Sequence, residues 1–132
     1  MAKNKGILLD SSVWIAYINP YDSQHEKALK LFKNLDIEVF VIPEYVLLET
    51  LSIIQMCVGK KYANNFLEFA KSEDAIILES SMYFKSVLEI FPGRSKKLSF
   101  VDLSLLYLSK YYEVISFDKS LNKAIKDYAK RK

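Results

Sequence analysis

Four acidic side chains, Asp10, Glu49, Asp102 and Asp118, stand where this sequence could assemble a reactive centre. Asp10 closes the apolar run Ile7-Leu8-Leu9, and Asp118 follows shortly after Val114-Ile115. Asp102 comes after Ser99-Phe100-Val101 at the head of an apolar stretch, and Glu49 interrupts another, between Leu48 and Leu51. Carboxylates brought together raise one another's pKa unless a cation lies between them. Oxygen ligands suit a hard ion, so Mg²⁺ or Mn²⁺ is expected. Zinc would draw on Cys and His, and Cys57 and His25 are the sole examples of each. Such an ion lowers the pKa of water and stabilises charge on a phosphoryl oxygen, so phosphodiester hydrolysis is the chemistry that follows.

The same residues have a plainer reading. Asp is a common helix N-cap, and Asp10, Asp102 and Asp118 each fit that role. Ser99-x-x-Asp102 has the outline of a capping box, with Asp where Glu or Gln is usual. Glu49 resists this account. A helix apolar on nearly every side makes a lone charge expensive unless it is paired, hydrogen-bonded or bound to metal.

Whether the acids meet depends on the elements that carry them. Short apolar runs at 7–9, 37–42, 75–78 and 114–115 read as buried strands. Helical spacing or capping residues mark segments at 11–18, from Asp22 to Asn34, from Pro43 to about Val58, and 60–72. Further helices run from Ser80 or Ser81 to Ile90, from Ser99 through Leu108, and over 119–130. The helix after Pro43 is expected to lie deep in the domain, with Cys57 as a small buried hydrophobe. Continuous apolar strands alternating with helices predict a parallel sheet covered on both faces. In such a sheet ligands collect beyond the C-terminal strand ends, the edge where Asp10 and Asp118 would sit.

Composition sets the frame. The 132 residues are enough for one domain over 1–132, with no linker or repeat, and 51% hydrophobic content is that of a folded protein. Net charge is +3, which permits a polyanionic partner without demanding one. Arg94, Lys96 and Lys97 cluster in one turn, where they could hold nucleic-acid phosphates or simply face solvent. A single cysteine excludes an intrachain disulfide. Neither a signal peptide nor a membrane span is visible, so a cytoplasmic location is expected.

Taken in order, Ile7-Leu8-Leu9-Asp10-Ser11-Ser12, Pro43-Glu44-Tyr45-Val46-Leu47-Leu48-Glu49, Leu98-Ser99-Phe100-Val101-Asp102 and Ile115-Ser116-Phe117-Asp118-Lys119 resemble the motifs of PIN domains. The chain size resembles the VapC-type toxins of prokaryotic toxin–antitoxin pairs. Ser11 stands where that family often has Thr, and Leu103 where a small Ala is common. The resemblance implies a three-layer α/β fold with a mostly parallel sheet of four or five strands and helices on both faces. It implies that Asp10, Glu49, Asp102 and Asp118 bind one or two divalent ions, Mg²⁺ or Mn²⁺. Ser11, Ser12 and Ser116 match hydroxyl or amide positions that support the site. The implied activity is endoribonucleolytic, on single-stranded or looped RNA, with a homodimer and a small antitoxin as partners. The alternatives are an RNA-maturation nuclease and a non-catalytic RNA- or protein-binding module. His25 matches a family position where His is frequent; tying its helix to a neighbouring loop is the simpler role. Two other classes fit less well. A haloacid-dehalogenase-like phosphatase needs an Asp where Ser12 stands, and a response-regulator receiver needs a leading acid pair.

Overall fold

The computed structural model describes residues 6–37, 39–93 and 97–130. Strand β1 (Ile7–Leu9) leads into α1 (Ser11–Ile18) and α2 (His25–Asn34). Next come β2 (Phe40–Pro43), α3 (Glu44–Cys57) and α4 (Lys60–Ala70). β3 (Ala75–Leu78) is followed by a 3₁₀ turn at Ser80–Met82, α5 (Phe84–Ile90), a second 3₁₀ turn and α6 (Phe100–Leu108). β4 (Glu113–Ile115) and α7 (Lys119–Lys130) close the chain.

The four strands form one sheet in the order β3-β2-β1-β4, with every pair parallel. Leu8 pairs with Val41 on one side and with Val114 on the other. The first two crossovers step outward from β1 in one direction, and the third returns past it to β4. Right-handed crossovers therefore place α1–α4 on one face and the helices between β3 and β4 on the other. The principal helix contacts agree, joining α1, α2, α3 and α4 in one group and α5, α6 and α7 in another. The point where the direction reverses lies between β1 and β4, the place where sheets of this kind offer a crevice at the strands' C-terminal ends.

Local chemistry accounts for most boundaries. Pro43, at φ −63°, precedes α3, and Glu44 complements the positive end of that helix. Gly59 separates α3 from α4 at φ 137°, a backbone state that a side chain would strain. α2 starts three residues later than the sequence suggests, because Asp22 instead makes a turn, accepting from Gln24 N–H at 2.8 Å. β2 likewise begins at Phe40 rather than Ile37, and the first turn of the helix after Ser80 tightens to 3₁₀ geometry.

The buried core joins Leu8, Leu9 and Ile42 of the sheet to Val13, Val46 and Phe66 on one face and to Val87, Leu103 and Leu121 on the other. α3 departs from expectation. It buries Val46, Leu47, Thr50 and Ile54, but Leu48 and Met56 are 54% and 82% exposed, and Cys57 is exposed rather than buried. Its apolar residues encircle the helix, yet only one side meets a neighbour. Among the described residues no helix is long and apolar enough to cross a membrane.

Candidate active site

Asp10 sits where β1 meets α1. Its backbone N–H extends the ladder to Ile115 O at 2.9 Å, while its side chain caps α1 by accepting from Ser11 N–H at 2.7 Å. Only 4% exposed, the carboxylate gathers hydroxyl donors from two segments far apart in sequence. Ser12 Oγ donates to Oδ2 at 2.9 Å, and Ser116 Oγ donates to the same oxygen at 2.7 Å.

These two serines stitch the β1–α1 junction to the β4–α7 junction. Ser12 Oγ also accepts from Phe117 N–H at 3.1 Å, and Ser116 Oγ accepts from Asp118 N–H at 2.9 Å. Each hydroxyl thus donates into Asp10 and accepts from the loop that presents Asp118. Asn122, which sequence reading did not single out, buttresses that loop by donating from Nδ2 to Ser116 O at 2.9 Å. Its only sequence signal is a polar residue one turn beyond Asp118.

Glu49 is half-buried on the side of α3 next to exposed Leu48, not deep in an apolar helix as the sequence suggests. The bond from Ser11 Oγ to Glu49 Oε1, 2.8 Å long, joins it to the Asp10 cap. Its charge is therefore accommodated at the margin of the domain by a hydroxyl donor.

Asp102 and Asp118 are both engaged as caps, the plainer of the two sequence readings. Ser99 and Asp102 form a reciprocal capping box at α6: Ser99 N–H donates to Asp102 Oδ2 and Asp102 N–H donates to Ser99 Oγ, each at 3.1 Å. Asp118 Oδ1 accepts from Ser120 N–H at 2.8 Å and Leu121 N–H at 3.3 Å, opening α7. The caps do not isolate these carboxylates from the rest of the site. Burial pushes the Asp102 carboxyl above its ordinary pKa. Hydrogen bonds from Ser99 oppose that shift, and the negative charges of Asp10 and Asp118 add to it. Asp102 of α6 therefore feels both the acid that ends β1 and the acid that opens α7.

Among the described residues, no three acidic, histidine or cysteine side chains are close enough as they stand to hold a metal ion. Asp102 and Asp118 each have one oxygen engaged in a helix cap. The donor set itself suits a hard divalent ion: oxygens only, mutually repelling, with Ser12 and Ser116 fixing the most buried carboxylate.

The remaining candidates divide. Lys97 is exposed just before α6 and lines a groove with Ser120 and Lys123 of α7, whereas Arg94 and Lys96 lie outside the described residues. His25 Nδ1–H donates to Ala16 O at 2.7 Å, tying α2 to α1, so its role here is structural. Trp14 is 3% exposed and belongs to the core, while Phe100 is half-buried against Tyr45, Phe84 and Phe91.

A parallel sheet with reversed winding and an acidic crevice at its switch point defines an α/β domain of known type. The chain belongs to the PIN-domain family, whose model matches residues 7–127. Its fold is similar to that of VapC20 of Mycobacterium tuberculosis, a toxin that cleaves the sarcin–ricin loop. The TM-score is 0.80, covering 90% of this chain and 95% of that one at 21% identity. At that identity the likeness shows the fold. No curated protein matches the chain in sequence.

Proposed function

We propose that this chain is a divalent-cation-dependent endoribonuclease, acting on single-stranded or looped RNA, and that it is the toxin of a VapBC-type toxin–antitoxin pair. PIN domains are generally nucleases, which supports the catalytic class. The observation that carries the reading is geometric: the buried Asp10 carboxylate is held by Ser12 and by Ser116 from the loop that presents Asp118. Asp102, whose pKa is raised first by burial, is also repelled by Asp10 and Asp118. Mg²⁺ or Mn²⁺ would relieve that repulsion, with Asp10, Asp102 and Asp118 as its holders and Glu49 at the margin. When bound, the ion supplies Lewis-acid stabilisation of charge on the phosphoryl group.

The chain's own residues do the rest. Ser12 and Ser116 fix Asp10, so its carboxylate needs no reorganisation when substrate arrives. Glu49 keeps Oε1 on Ser11, leaving Oε2 to orient a water and take its proton. Attack of that water at phosphorus breaks the bond to the 3′-oxygen, which takes up a proton. The products are a 5′-phosphate and a 3′-hydroxyl. A cytoplasmic homodimer blocked by a small antitoxin is the assembly proposed with this activity, supported by the VapC-like fold.

The test is cleavage of labelled RNA in Mg²⁺ or Mn²⁺ by wild type and Asp10→Asn. Asparagine keeps the cap and removes the charge. We expect cleavage to fall at least about a hundredfold, as when another group that stabilises transition-state charge is removed. Equal cleavage by both proteins sinks the proposed site. The alternative, a non-catalytic binding module, is favoured by the engagement of Asp102 and Asp118 in helix caps. It is supported if RNA binds but stays intact with every divalent ion. Turnover of a phosphomonoester instead of RNA would point to a phosphatase.

A further inference from the structure

We propose that Lys27 is a phosphate-binding residue, holding the RNA backbone beside the scissile bond; the proposal rests on the nuclease reading above. Lys27 is exposed in the first turn of α2, and its Nζ lies 4.6 Å from the centre of the Phe117 ring. Phe117 is the residue between Ser116 and Asp118, and its N–H donates to Ser12 Oγ, which in turn donates to Asp10. The ammonium is thereby parked against the segment that carries the acidic group. It approaches from the α2 side, whereas Lys97, just before α6, lies beside α7 in the other helical layer.

The nature of the contact matters as much as its place. A ring face attracts the cation without neutralising it. No carboxylate among the described residues pairs with Lys27, in contrast to Lys123, which is bound to Asp127 at 3.3 Å. The N–H groups on the far side of the ammonium stay free to donate to a phosphate oxygen. A substrate strand brings further negative charge to a site where three carboxylates already repel, so an unneutralised cation at its rim favours binding. Lysine suits this task as a compact point charge on a flexible stem.

The test uses a fluorescent single-stranded RNA of mixed sequence, Mg²⁺, and full-length proteins that all carry Asp10→Asn so that RNA stays whole. Affinity is followed by anisotropy against salt concentration. Lys27→Ala should weaken binding several-fold at low salt and make the log–log salt slope shallower by about 0.7, the loss of one single-strand phosphate contact. Lys27→Arg should restore the slope. Lys33→Ala, on the same helix and with the same change in charge, should leave it unaltered. A Lys27→Ala slope equal to the Asp10→Asn parent overturns the proposal, as does an equal drop in Lys33→Ala. RNA cut by wild type with equal slopes overturns this proposal alone. RNA left intact by the unmutated chain overturns the nuclease reading and this one with it.

Discussion

One turn of α1 separates two regions of opposite character. Asp10, its cap, draws together donors from Ser11, Ser12 and Ser116 and shares a crevice with Asp102 and Asp118. Trp14, four residues on, packs against Phe32, Phe40, Phe66 and Phe69 with ring centroids 5.1–5.6 Å apart. Beside it opens an apolar cleft of about 350 Å³, lined also by Tyr17 and Tyr62. A large apolar pocket is the usual first guess for a functional site, but that guess also requires convergent polar groups. None of the four acids lines this cleft, and Trp14 Nε1 is buried without a hydrogen-bond partner. The apolar cleft marks where rings meet imperfectly, whereas the polar donors gather at Asp10, on the other side of that turn.

That contrast can be broken experimentally, beginning where the effect is largest. Trp14→Ala should lower unfolding free energy by about 3–5 kcal/mol in denaturant titrations, as for other large aromatic truncations. Trp14→Phe gives up an N–H that no group accepts. It should cost much less and leave RNA cleavage unchanged; a loss of cleavage in a stably folded Trp14→Phe protein would place the cleft in the active machinery.

Ser116→Ala acts on the other region. It removes the 2.7 Å bond to Asp10 and the acceptor for Asp118 N–H. Cleavage should fall about tenfold, equivalent to about 1.4 kcal/mol of transition-state stabilisation. The melting temperature should fall as well. Unchanged turnover would mean that Asp10 needs no positioning by the β4 loop.

The smallest effect has an informative sign. An acid whose pKa is raised by folding destabilises the native state wherever it is ionised. In metal-free buffer at neutral pH, Asp102→Asn should therefore raise the melting temperature slightly, since Asn can still accept from Ser99 N–H. The gain should shrink as pH falls through the folded pKa of Asp102 and vanish below the ordinary carboxylate value, where both states are protonated. Added Mg²⁺ should stabilise wild type and not the variant, by preferential binding to the folded form. A wild type more stable than Asp102→Asn across the whole pH range, without metal, would show that the cap outweighs the repulsion.

The order of strands and helices, most helix starts and the parallel arrangement were legible because their causes are local, whereas the starts of α2 and β2 shifted by three residues. Asp10 and Ser99 cap the helices next to them, Gly59 breaks α3 from α4, and alternation of strand with helix leaves few sheet topologies. The ordered acidic motifs were visible for the same reason. Exposure was not. The apolar positions of α3 run right round the helix, so periodicity gave no direction, and Leu48, Met56 and Cys57 came out on the open side. Nothing in the sequence sets Lys27 apart, because its partner ring lies 90 residues along the chain.

Residue order alone determined which segments become strands and helices and which acids stand at their ends, since capping and hydrophobic run length act over a few neighbours. Only the tertiary structure decided which of those acids share a field. Ser12 and Ser116 reach one oxygen of Asp10 because β4 returns to lie beside β1, a contact between residues more than 100 positions apart. Hydroxyl bonds and carboxylate repulsion depend on distance in space, and that distance exists only once the sheet has closed its order.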